Sequence, residues 1–198
     1  MHPYSIDTDE KRQILLFLAV ASVLTAYLLN WAVTLAGMTI PWWLDAPSVM
    51  GFYGILYWLF DNYLWAIRYR GRWGLSQVPV LRGTWEGNVS SSHDQFKGLT
   101  DCKVIIYQTW DSILICLETN NSKSESKSGS ISLNSKHQKK IAYTYTNIPT
   151  VSSIKTMQIH TGTTELTLSE DGNCLEGNYY TGRGRVSYGC IKLTRKVF

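Results

Sequence analysis

Hydrophobic residues are not spread evenly along this chain. Ile14 to Met38 and Ser48 to Ile67 are almost unbroken apolar runs, and from about Val80 onward the pattern becomes short β-branched and aromatic stretches separated by Gly, Ser, Asn and Asp. Each apolar run reaches the roughly 20 residues that a helix needs to cross a bilayer. Only the short link from Thr39 to Pro47 separates them, so the two runs predict a helical hairpin in a membrane. Small residues Ala19, Ala21, Ser22 and Ala26 recur in the first run and permit close helix approach in lipid. The second run carries Asp61 and Asn62 near its end. That aspartate reads either as an interfacial group reaching headgroup water or pairing with Arg68, or as a polar contact between protomers.

The polar remainder reads as strands. About eight segments alternate in the manner of half-buried β-structure. They begin with GTWEGNVS at Gly83 and end with RVSYGCIKLTR at Arg185. Asp171-Gly172-Asn173 and Gly182-Arg183-Gly184 are turn signals, and Asp-Gly between alternating runs marks a hairpin. No helix-period segment interrupts the strands. The fold expected is therefore an N-terminal transmembrane helical hairpin plus an all-β domain, an about eight-stranded antiparallel up-and-down β-barrel. The boundary is drawn with residues 1–79 as the two-helix region and juxtamembrane linker, and 80–198 as the barrel. Residues 120–140, rich in Ser and Lys, read as a loop around a short strand.

Charge places these parts. Lys11 and Arg12 precede the first span, Arg68, Arg70 and Arg72 follow the second, and the link has no Lys or Arg. The positive-inside rule then puts both termini and the barrel in the cytoplasm, with a multi-pass anchor and Trp42 and Trp43 at the far interface. The acidic residues Asp7, Asp9 and Glu10 ahead of the first run, and its length, argue for a retained span over a cleaved signal. The net charge of +4 falls short of a DNA or RNA binder. Cys102, Cys116, Cys174 and Cys190 form no CxxC pair, so they read as reduced packing residues with no metal site. Phosphate loops, HExxH, G-x-S-x-G and dinucleotide fingerprints are absent, so the chain reads as no enzyme and calls for no cofactor.

Binding is better supported. Tyr143, Tyr145 and Asn147 lie two apart and share one strand face. Tyr179, Tyr180, Arg183 and Arg185 cluster at a hairpin. Stacking rings beside planar guanidinium forks suit a small anionic nucleotide. Alternate tyrosines are also ordinary strand composition, and hairpin arginines are often only solvated. Two other classes stay open: a membrane-tethered, lipocalin-like carrier of an apolar ligand, and a scaffold that binds another protein.

The order of the motifs adds a resemblance. Gly83-Thr84-Trp85-Glu86-Gly87 is followed by Tyr143-x-Tyr145-x-Asn147-x-Pro149, by His160-x-Gly162, and by Gly177-x-Tyr179-x-x-Gly182-Arg183-x-Arg185-x-x-x-Gly189-x-Ile191. With the preceding hairpin, this resembles the two-transmembrane β-barrel effectors of bacterial cyclic-oligonucleotide antiphage signalling systems (CBASS). The resemblance implies that a nucleotidyltransferase makes a cyclic dinucleotide during infection and that the barrel binds it. It implies further that binding makes the protein self-associate and that its membrane segments then disrupt the bacterial inner membrane. The ligand contacts it implies are Tyr143, Tyr145, Asn147, Tyr180, Arg183 and Arg185. Tyr179 and Tyr180 point to opposite faces, so one of them at most lines the lumen.

Overall fold

A computed structural model describes residues 1–38, 41–69, 73–133, 138–182 and 186–196, with the side chains of 42–47, 68–69 and 73–74 outside the description. The chain divides into two compact units: Thr8–Gln77, and Met1–Asp7 together with Val78–Phe198.

The first unit is helical. Helix α1, Glu10–Leu35, is long and apolar enough to cross a membrane, and it is the one such helix among the described residues. Its 26 residues rise about 39 Å, more than a hydrocarbon core of about 30 Å. Leu18 and Ser22, one turn apart, are its buried side chains past the first turn, and α1 packs against α2. The hydroxyls of Ser22 and Thr25 donate to the carbonyls of Ala19 and Ala21 at 2.7 and 2.8 Å, which satisfies them inside an apolar helix. Glu10 opens α1 and accepts hydrogen bonds from the Ser76 hydroxyl and the Gln77 amide, so a carboxylate sits at the positive helix end. Helix α2, Trp42–Asn62, starts six residues earlier than the hydrophobic run announces. Pro41 immediately precedes it, with extended φ and ψ that lead into a helix start.

The second unit is a closed barrel of nine strands: β1 (His2–Ile6), β2 (Gly83–Ser91), β3 (Thr100–Gln108), β4 (Ser112–Thr119), β5 (Ser122–Ser132), β6 (Lys139–Pro149), β7 (His160–Leu168), β8 (Cys174–Thr181) and β9 (Tyr188–Arg195). Strands β2 to β9 form the expected up-and-down antiparallel meander, and β9 closes on β2 with Cys190 opposite Ser90. Two features depart from the sequence reading. First, residues assigned to the membrane region supply a ninth strand. β4 and β5 pair directly only from Cys116–Glu118 to Lys123–Glu125, and beyond that they part. β1 fills the gap, antiparallel to β4 and parallel to β5, which makes the sheet mixed. Five polar-looking residues beside a charged stretch carry too little alternation to announce a strand. Second, the Ser/Lys segment is not a loop but the 11-residue β5. Its serines Ser122, Ser124 and Ser126 face inward, and Lys123, Glu125 and Lys127 face out, so small against charged replaces the usual apolar against polar alternation.

One end of the barrel is packed solid. Val104 and Ile106, Ile113 and Ile115, Ile131, Ile141, Leu166, Leu175 and Leu193 alternate inward around Trp85. The Trp85 indole donates to Leu81 O at 2.9 Å, and the Arg195 guanidinium lies 4.5 Å above its ring while donating to Val80 O at 2.6 Å. Gln108 accepts from Leu81 N and donates to Pro79 O, so the incoming segment seals this end with the Gln108 amide satisfied on both sides.

Candidate ligand-binding site

The other end is open. A cavity of about 290 Å³ runs down from the mouth among strands β2–β9, at the lower end of the range for small-molecule sites. Its wall is built in register. At the lower level, Tyr143 on β6 stands opposite Thr164 on β7, which stands opposite Tyr179 on β8. Tyr179 in turn faces Gly189 on β9. One step up, Tyr145, Gly162 and Thr181 form a second row. At the rim, Ser124, Asn147 and His160 make a third.

Two glycines make room for the rings. A Cβ at Gly189 would strike Ser90 O and the Tyr179 ring, and one at Gly162 would strike the Tyr145 ring and Tyr180 O. The paired Gly and Tyr positions are therefore one device, a large side chain laid across a bare stretch of the neighbouring strand. Tyr143 and Tyr145 stack obliquely, with centroids 6.3 Å apart at 57°. Burial pushes the Tyr143 phenol up to about 12, so it stays protonated and is bonded to Thr164. Asn147 is buried at 6% exposure and lines the cavity. Its amide donates to the Met157 sulfur at 3.3 Å, a weak acceptor. His160 Nδ1 lies 2.9 Å from Gln158 O, which fixes its ring at the rim.

The lining is rich in hydroxyls and poor in charge. Ser91, Thr100, Thr119, Ser122, Ser124, Thr181 and Ser187 join the tyrosines. Asp94 is the one carboxylate, and no Lys or Arg lines the cavity among the described residues. Thr181 and Ser187, both on the wall, are tied together: Ser187 N donates to Thr181 Oγ1 at 2.8 Å, and that hydroxyl donates back to Ser187 O at 3.0 Å. Among the described residues no three His, Cys, Asp or Glu gather to hold a metal ion. The four cysteines are free thiols, and burial, with a smaller contribution from Asp101, pushes Cys102 up to about 11.

The structure brings Tyr143, Tyr145 and Asn147 together on the lumen as their spacing predicts. It corrects Tyr180, which is 55% exposed on the outer face, whereas Tyr179 is 9% exposed and lines the cavity. The lumen set of β8 is Leu175, Gly177, Tyr179 and Thr181, and this parity excludes Tyr180. Arg183 and Arg185 lie outside the described residues. Sequence reasoning missed Ser122, Ser124, Thr164 and Met157. The first three are small hydroxyl residues whose only signal is parity with a tyrosine or leucine neighbour.

An apolar helical segment joined to a closed barrel, with a ring- and hydroxyl-lined cup open at one end, defines a membrane-associated small-molecule receptor. The comparisons with known proteins agree on a family. Residues 76–195 match the family described as Cap15, cyclic dinucleotide receptor domain, and residues 12–66 match the one described as Cap15, TM helices. The chain is also 33% identical over 150 residues to CD-NTase-associated protein 15 of Yersinia aleksiciae, covering 75% of this chain and 69% of the relative. The chain belongs to the Cap15 family and is a CBASS effector.

Proposed function

We propose that the cup binds a cyclic dinucleotide and that its occupancy drives the chain to self-associate and breach the inner membrane of the infected cell. The observation that carries this reading is the aromatic, hydroxyl-rich cup in the region that matches the receptor family. Tyr145 and Tyr179 offer faces for the bases, worth about 1–3 kcal/mol per stacked base. The Asn147 amide offers a donor and an acceptor to a base edge. Phosphates need cations, and the described wall has none. Arg183 and Arg185 lie within two residues of the wall positions Thr181 and Ser187, so they are the groups assigned to the phosphates. The hydroxyl lining speaks against a carrier of apolar molecules.

In this reading both helices span, the termini and barrel are cytoplasmic, and no nucleic acid is bound. A lone helical pair encloses no water path, and several together do. The messenger shifts that assembly only by binding the assembling form more tightly than the dispersed one. The test is dye leakage from liposomes carrying the full-length protein, titrated with cyclic dinucleotides. Saturable leakage with a parallel binding isotherm is the expected result. Sealed liposomes and no heat of binding with every such nucleotide in excess would defeat the proposal.

A further inference from the structure

The chain's first strand has no role in the site just described, yet it is part of the barrel and the sequence runs from it directly into α1. β1 is wedged where β4 and β5 part, with Tyr4–Ile6 paired to Gly129–Ile131 and His2 and Pro3 paired to Ile113 and Ser112. Ser126 is the node of this fork. Its hydroxyl accepts from Ile115 N at 2.9 Å and lies 2.8 Å from His2 Nε2. Tyr4 anchors the wedge, 3% exposed, with its hydroxyl donating to Trp110 O at 2.7 Å. Asp7 closes it by accepting from Leu133 N at 2.7 Å and from the Ser132 hydroxyl.

The fork also touches the cup. The direct β4–β5 contact is three pairs long, and its middle pair, Leu117 and Ser124, lines the cavity. Ser124 and the node Ser126 are successive inward residues of the same strand. On the other side, β1 ends at Ile6 and α1 begins at Glu10. Three intervening residues reach about 10 Å at full extension, so α1 cannot travel further than that while β1 stays docked. The fork is also bistable by construction. The edges of β4 and β5 that hold β1 are those that would pair with each other if it left, and a short strand held by few ladder bonds is the element easiest to displace.

We infer that β1 is a latch. Docked in the fork it restrains α1, and a messenger in the cup favours zipping of β4 onto β5 past Ser126, which loosens β1 and frees α1 to gather with other copies. This rests on the receptor reading above and adds the route by which binding is transmitted.

The test uses the full-length protein in liposomes, with binding, leakage and hydrogen exchange read together. Saturating cyclic dinucleotide is expected to speed exchange of the Tyr4, Ser5 and Ile6 amides about tenfold or more. Tyr4→Ala, which loosens the latch, and a Gly-Ser-Gly-Ser insertion between Asp7 and Thr8, which slackens its tether, are both expected to leak without messenger while still binding it. Unchanged exchange in β1, with both variants sealed until messenger arrives as in the wild type, overturns the latch. A wild-type chain that fails to bind at all instead removes the receptor reading, and that is seen before any variant is made.

Discussion

The lumen parity of β8 makes a sharp claim, because two adjacent tyrosines should behave as opposites. Tyr179 lies at 9% exposure with its ring across Gly189, level with Thr164 and Tyr143, and Tyr180 stands at 55% exposure on the outer face. Tyr179→Leu keeps apolar bulk in the lumen while removing the ring and the hydroxyl. If a messenger base stacks there, about 1–3 kcal/mol of binding is lost, which is about 5- to 150-fold in Kd. Tyr180→Leu changes only the outer surface, where substitutions cost within about 0.5 kcal/mol, and should leave the affinity within about twofold of wild type. Isothermal titration of the two full-length variants with the same cyclic dinucleotide measures both. Thermal melting without ligand checks that each barrel is intact. A larger affinity loss from Tyr180→Leu than from Tyr179→Leu would refute the inward parity of β8, and with it the register that places Tyr143 and Thr164 beside the ligand.

Three further outcomes follow from the same geometry. Arg183→Ala and Arg185→Ala should each weaken messenger binding by about 1.5–3 kcal/mol, the worth of a hydrogen bond to a charged group, with melting temperature unchanged; calorimetry showing wild-type affinity in both would dismiss the arginines as phosphate partners. Gly189→Ala drives a methyl into Ser90 O and the Tyr179 ring, so it should destabilise the barrel by about 1–3 kcal/mol and blunt binding as well, and a urea midpoint equal to wild type would contradict that close approach. Stability should also fall in alkali. Tyr143 titrates ordinarily at 10.0 and at about 12 when folded, so below pH 10 both states keep the proton, and above it only the unfolded chain releases it until the folded value is reached. The loss is about 2–3 kcal/mol across that window, with the buried Cys102 thiol starting its own decline from 9.0 towards 11; in urea melts at about pH 8 and about pH 11, Tyr143→Phe should lose less stability than the wild type, and an equal loss would show the phenol to be solvated.

The parts of this molecule that were legible in the sequence are those where side-chain size follows burial. The apolar helix and the strands around Val104, Ile106, Leu166 and Leu193 announce themselves because large apolar residues alternate with polar ones. Tyr143, Tyr145 and Asn147 are readable for the same reason, by parity on a strand whose other residues are plain. What escaped was burial without bulk. Ser122, Ser124 and Ser126 point inward because a cup must leave its upper half unfilled, so the strand there carries hydroxyls where a solid core would carry leucines. Period-two reasoning tuned to apolar residues sees only a Ser/Lys stretch. Tyr179 and Tyr180 are alike in residue type, and only the register, fixed by Gly177 and Leu175 two and four residues before Tyr179, decides between them. β1 was invisible because its partners lie more than a hundred residues away and its own five residues carry one buried side chain, Tyr4.

The closure of β9 on β2 has a consequence for how the protein is made. Tyr188–Arg195 leaves the ribosome after the other eight strands of the ring, and its partner Gly83–Ser91, the first strand of the antiparallel meander, waits for it with an unpaired edge. Until then there is no wall on that side: Tyr179 lacks the bare strand at Gly189 that receives its ring, and Ile191 and Ser187 are missing from the cup. On the proposed function, a nascent or prematurely terminated chain would therefore carry its apolar helix without a vessel for the alarm signal, and such a stalled product would be inserted without being open to triggering.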